Sequence, residues 1–177
     1  KKRGRLPKDT IVTTVMANIG FHQALKAAGI HVEITKVGDR YVLENMLSHG
    51  YALGGEQSGH IIFTDFATTG DGAVTALQVL QALMGSDQPA SALNALMVSY
   101  PQLLLNVVVS SKEGWEENAA IQEAIRAGEA ALGEKGRILV RPSGTEPLIR
   151  VMAEGSDPEQ LDALCHRIAD VVKQELG

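Results

Sequence analysis

The chain has 177 residues, a length that suits one ordinary domain or two small ones and suffices to bury a real core. Its 16 Lys and Arg against 21 Asp and Glu leave a net charge of −5, with no long run of one sign beyond Lys1-Lys2-Arg3, so no nucleic-acid partner is expected. A single cysteine, Cys165, excludes an intramolecular disulfide and points to a reducing, cytoplasmic setting, and no apolar run or leader pattern suggests a membrane partner.

The opening Lys1-Lys2-Arg3-Gly4-Arg5, running straight into Leu6-Pro7, reads as the interior of a longer chain. The β-branched run from Thr10 to Ala17 predicts a strand, and apolar residues at helical spacing from Asn18 to Ala28 predict a helix stopped by Gly29. The pattern recurs with a strand over Ile30 to Thr35 and a helix from an Asp39 cap to His49, closed by Gly50. Short strands follow at Tyr51 to Gly55 and His60 to Phe63. Gly70-Asp71-Gly72 then opens a helix through Val74, Leu77, Val79, Leu80 and Leu83. Alternation of this kind predicts an α/β layer with a mixed, largely parallel sheet over residues 1–100. A short helix from Pro89 to Met97 ends at Tyr100-Pro101, where the domain boundary is placed. Residues 101–177 predict a small α+β domain: a strand over Leu103 to Val109, a helix over Glu113 to Leu132, strands over Arg137 to Arg141 and Leu148 to Glu154, and a helix from Asp157 to Leu176. The last helix is capped by Asp157, starts on Pro158, and places Leu161, Leu164, Ile168, Val171 and Val172 on one face.

Three segments carry candidate chemistry. Arg141-Pro142-Ser143-Gly144-Thr145-Glu146-Pro147 runs on to Arg150 and sets two hydroxyls and a glycine between two arginines, a composition that suits a phosphate. The residues alone fit an ordinary hairpin loop with solvated arginines equally well, and the spacing of a Walker loop is absent. In Gly54-Gly55-Glu56-Gln57-Ser58-Gly59-His60, period-two alternation points the Glu56 carboxylate and the Ser58 hydroxyl the same way, which suits neighbouring sugar hydroxyls, although a plain polar turn explains the segment better when it is judged alone. Lys36-Val37-Gly38-Asp39-Arg40 lies where a strand hands over to a helix, a place where open α/β sheets gather anionic ligands, although Asp39 taken alone reads better as a plain helix cap, and solvated Lys36 and Arg40 are the alternative to a ligand site. Trp115, Cys165, His22, His31, His49 and His166 read as structural or surface residues, and no metal cluster is visible.

Taken together, Lys36 to Val42, Gly55 to His60, Thr68-Thr69-Gly70-Asp71-Gly72 and Arg141 to Arg150 resemble, in order and spacing, the third-domain and fourth-domain motifs of the α-D-phosphohexomutases. The wording Lys-Val-Gly-Asp-Arg-Tyr-Val and Arg-Pro-Ser-Gly-Thr-Glu-Pro-Leu-Ile-Arg-Val-Met is most similar to the branch of that family acting on glucosamine phosphates, and the resemblance covers essentially the whole chain. It implies an α/β third domain followed by a small C-terminal domain of the TATA-box-binding-protein-like kind. It also implies an isomerase that interconverts sugar 6-phosphate and 1-phosphate through a phosphoserine and a bisphosphate intermediate, with Mg2+ as cofactor, serving amino-sugar and cell-wall precursor synthesis. By the same resemblance Glu56, Ser58 and His60 would hold the sugar, with Gly38, Asp39 and Arg40 in the loop facing the ring, while Arg141, Ser143, Gly144, Thr145 and Arg150 would hold the phosphate that is not reacting. The family's serine loop and its Asp-Gly-Asp-Gly-Asp magnesium loop are nowhere in these residues, so this chain is expected to hold no catalytic residue, to bind a sugar phosphate without turning it over, and to need N-terminal domains. A homodimer is left open, as are a mutase of mannose or glucose phosphates and a catalytically silent sugar-phosphate-binding module.

Overall fold

A computed structural model describes the backbone of residues 1–177 and all side chains but that of Asn94. The chain folds as two compact units, Lys1–Ser99 and Tyr100–Gly177.

In the first unit β1 (Thr10–Thr14) leads through α1 (Ile19–Ala27) to β2 (His31–Thr35), and α2 (Asp39–His49) leads on to β3 (Leu53–Gly55) and β4 (Ile61–Phe63). The sheet order is β2-β1-β3-β4; β2 and β3 run parallel to β1, and β4 is antiparallel to β3, which makes the sheet mixed and mostly parallel as the alternation predicts. Parallel pairing requires a long crossover between strands, and α1 and α2 supply it. Side chains alternate across the pleat, so Val12, Gly54 and Ile62 line up across three strands toward α2, where the apolar ones form a core with Val42, Met46 and Tyr51. Gly54 is required there: a Cβ would stand 2.5 Å from Met46 Sδ and 2.7 Å from Val42 Cγ1. The helix α3 (Gly72–Met84) follows Asp71, whose Oδ1 accepts the Val74 N–H at 2.9 Å, as its helix-opening motif predicts, and α4 (Ala90–Asn94) is shorter than the sequence suggests.

The sequence places a cap at Asp39, but the cap position falls to Gly38, with φ 130 and no side-chain bond, and Asp39 opens the helix itself. Its Oδ1 accepts the Arg40 N–H at 2.8 Å instead of a bond from deeper in the first turn. Gly50 closes α2 in the left-handed conformation, as read from the sequence.

The second unit runs β5 (Gln102–Val108), α5 (Ala119–Leu132), β6 (Gly136–Pro142), β7 (Leu148–Gly155) and α6 (Pro158–Leu176), with β7 central in an antiparallel sheet of order β5-β7-β6. One face of β7, Ile149, Val151 and Ala153, packs with Ile121 and Leu132 of α5 and with Leu161, Leu164, Ile168 and Val172 of α6. Helix α5 starts six residues later than the periodicity predicts. Gly114 takes a left-handed φ of 75 that no helix accommodates, and the Asn118 Oδ1 caps from there by accepting the Ile121 N–H at 3.0 Å. Cys165 belongs to the core, and burial first of all pushes its thiol up to about 11, so it packs as an apolar side chain.

Candidate functional site

The carboxyl ends of β2 and β3 carry the first set of groups. Lys36 to Gly38 follow β2 and Glu56 to His60 follow β3, so the parallel strands bring two segments of the candidate chemistry to one edge. Glu56 ties them together: its Oε2 accepts the Gly38 N–H at 3.2 Å, and its Oε1 accepts the Ser58 hydroxyl at 3.0 Å. Ser58 Oγ also lies 3.0 Å from His60 Nδ1. The single Ser58 proton goes to Glu56, so this relay is satisfied when His60 Nδ1 carries a proton and donates it to Ser58. The carboxylate is mostly buried, 11% exposed, whereas the imidazole is 56% exposed.

Alternation along a strand is not what aligns Glu56 with Ser58. β3 has ended at Gly55, and the two meet because residues 56–60 form a tight turn, with Glu56 N–H on the His60 carbonyl and Gly59 N–H on the Glu56 carbonyl, both at 3.0 Å. Gly59 holds φ 97, a conformation that favours glycine. Arg40 points along its own helix to Glu44 at 2.7 Å, is largely exposed, and is held above its ordinary pKa first by that hydrogen bond and then by the Glu44 charge. Next to the turn is an apolar cavity of about 380 Å³ on the face of the sheet away from α2, walled by Ile11, Phe21, Leu53, Ile61, Phe63 and Met97.

The second set lies on the β6–β7 hairpin. In the register of these strands Arg141 stands directly opposite Arg150, on the face of β7 turned away from the helices. Like charges placed opposite one another on a sheet repel. Among the described residues Arg141 meets no carboxylate, and its pKa is held below the ordinary value by burial first and then by the Arg150 charge. The Nε of Arg150 is buried without an acceptor among the described residues. The hairpin thus sets two guanidinium forks side by side with less negative charge than they can hold.

The connecting loop is folded back over these arginines. Ser143 is buried, 2% exposed, with its N–H on the Leu148 carbonyl at 2.9 Å. Its hydroxyl sits 3.4 Å from Arg150 Nη2 and donates to Glu146 Oε2 at 3.3 Å, while Arg150 Nη2 donates to the same carboxylate oxygen at 3.2 Å. Gly144 and Thr145 are exposed, and a Cβ at Gly144 would meet nothing within 4 Å, so the glycine leaves the loop backbone open rather than relieving a clash. Lys112, from the segment after β5, donates to the Ser143 carbonyl at 2.7 Å and adds a third cation behind the loop. Sequence reasoning missed Lys112, because nothing in its local spacing links it to a residue 31 positions away. The arrangement can hold a multiply charged oxyanion through two forks, a hydroxyl and loop backbone. Among the described residues no three His, Cys, Asp or Glu side chains stand together as a metal site, and no helix is long and apolar enough to cross a membrane.

Comparison with known proteins bears on both sets. Residues 1–100 match phosphoglucomutase/phosphomannomutase, alpha/beta/alpha domain III, and residues 104–171 match the phosphoglucomutase/phosphomannomutase C-terminal domain. A phosphoglucosamine mutase of Brevibacillus brevis is 56% identical over 176 residues, a match covering 99% of this chain and 39% of that protein. The chain therefore spans about two fifths of the length of the curated relatives it matches. Among solved structures, Aspergillus fumigatus N-acetylphosphoglucosamine mutase in complex with GlcNAc-6P and magnesium superposes with a TM-score of 0.78 at 20% identity, over 95% of this chain and 39% of that one. A serine-to-alanine variant of the same enzyme in complex with glucose 1,6-bisphosphate gives a TM-score of 0.76 at 21% identity, over 94% of this chain and 38% of that one.

Proposed function

The chain belongs to the phosphoglucomutase/phosphomannomutase family, of which it comprises the third and C-terminal domains, and from that premise we propose that it is the sugar-phosphate-binding part of a phosphoglucosamine mutase. The whole enzyme would interconvert glucosamine 6-phosphate and glucosamine 1-phosphate by way of a bisphosphate intermediate. The observation that carries the reading is the Arg141–Arg150 pair opposed across β6 and β7 beside the buried Ser143 hydroxyl, a site short of negative charge.

In this reading Arg141, Ser143, Gly144, Thr145 and Arg150 take the non-reacting phosphate, and Glu56, Ser58 and His60, backed by Gly38, Asp39 and Arg40, take the sugar. Gripping the phosphate that does not react supplies binding energy that orients the end that does. The Glu56 carboxylate accepts from sugar hydroxyls, and the Gly38 N–H bond fixes its position on the strand edge. Magnesium does not fit the residues present, since no acidic cluster among the described residues stands ready for it. Phosphoryl transfer itself is assigned to the part of the relatives that this chain does not span. The 56% identity to a phosphoglucosamine mutase favours glucosamine over mannose or glucose phosphates.

Glu56→Gln tests the division of labour. A hydrogen bond to a charged group contributes roughly 1.5–3 kcal/mol, so glucosamine 1-phosphate affinity should fall about tenfold or more in calorimetric titration, with inorganic phosphate affinity unchanged. Equal weakening of both ligands would refute the assigned roles.

A further inference from the structure

Glu146 lies in the phosphate loop with the wrong charge for a phosphate ligand. Its Oε2 accepts from the Ser143 hydroxyl at 3.3 Å and from Arg150 Nη2 at 3.2 Å, two of the groups assigned to the ligand. Its own backbone N–H points to the same hydroxyl, with the nitrogen 3.4 Å from Ser143 Oγ. Ser143 is only 2% exposed, while the Glu146 side chain is 55% exposed, so the carboxylate covers a buried hydroxyl from the solvent side.

We infer that Glu146 is an internal stand-in for the ligand's phosphate, displaced when phosphate binds, and that it thereby sets the loop's selectivity for dianions. The inference rests on the phosphate reading of the loop. A carboxylate carries one charge, whereas a phosphomonoester carries nearly two with three strong acceptor oxygens. Glu146 pairs with Arg150 through Nη2 alone and leaves Arg141 without a carboxylate, so the opposed cation pair is only partly answered from within the chain. A monoanionic ligand would merely take the place of Glu146. A dianion gains the Arg141 fork and the buried Arg150 Nε in addition, and only that gain drives the exchange. The displaced pair is half exposed and therefore weak, so its loss lowers affinity without abolishing binding.

The experiment is titration of the chain with inorganic phosphate, reading affinity by calorimetry and the Glu146 carboxyl carbon by NMR. Glu146→Gln should bind phosphate roughly three- to tenfold more tightly, the range an exposed ion pair allows, and its preference for phosphate over acetate should narrow. In the unsubstituted chain the Glu146 carboxyl signal should move to the position of a solvent-exposed glutamate at saturation. Glu134→Gln removes the same charge from an exposed site elsewhere in the second unit and should leave affinity unchanged. Equal tightening by Glu134→Gln, a Glu146 signal that stays put at saturation, or weaker binding by Glu146→Gln would each overturn the inference while leaving the phosphate reading intact, provided Arg141→Ala still loses affinity. If Arg141→Ala and Glu146→Gln both leave phosphate binding unchanged, the loop is not the phosphate site and both fall together.

Discussion

Arg137→Met is expected to destabilise the second unit by about 3–5 kcal/mol, the cost of stranding a buried charge. Glu154 has no exposure at all, and Arg137 Nε donates to its Oε2 at 2.8 Å from the directly opposed position on the neighbouring strand. Removing the cation leaves the carboxylate in a place where it must stay ionised without the Arg137 charge or take up a proton. The double change Arg137→Met with Glu154→Leu should recover most of the loss, because replacing both members of a buried pair by apolar groups is often close to neutral. Urea unfolding followed by fluorescence isolates this unit, since Trp115 is the chain's one tryptophan and packs against the second unit's core. A loss below about 1 kcal/mol for Arg137→Met would show that the pair behaves like an exposed one.

Arg141→Ala should do the reverse in stability and more in binding. Phosphate affinity should fall by roughly 10- to 150-fold, the equivalent of one charged hydrogen-bonding group lost. Stability should be unchanged or should rise by a few tenths of a kcal/mol, because the substitution relieves the like-charge opposition to Arg150. Opposite signs of this kind mark a residue kept for its ligand at the expense of the fold. Unchanged affinity would remove Arg141 from the site, and a large loss of stability would make it a structural residue.

The elements with strong local punctuation were legible in the sequence. Asp157 caps the helix it was expected to cap, the helix expected to open at Gly70-Asp71-Gly72 starts there, and Gly50 closes α2. The start of α5 was not, because the glutamates of residues 113–118 are compatible with helix while the left-handed turn at Gly114 is a backbone fact that composition does not carry. The two strands flanking the phosphate loop follow from their short apolar runs, Ile138 to Val140 and Val151 to Ala153, and their pairing register then sets Arg141 against Arg150. What the sequence could not reveal was the bonding within the sites. That Glu56 reaches back to Gly38, that Glu146 holds Ser143 and Arg150, and that Lys112 supports the loop from behind all depend on side-chain directions in turns, where no period fixes them.

The most direct test is to titrate the chain with inorganic phosphate, glucosamine 1-phosphate and glucosamine at one salt concentration while following the Arg141 and Arg150 side-chain signals by NMR. Both phosphates should bind and shift the two guanidinium signals, and glucosamine alone should leave them unmoved. Binding of glucosamine as tight as that of its phosphate, or phosphate binding that leaves both arginines undisturbed, would contradict the assignment of this loop to the phosphate.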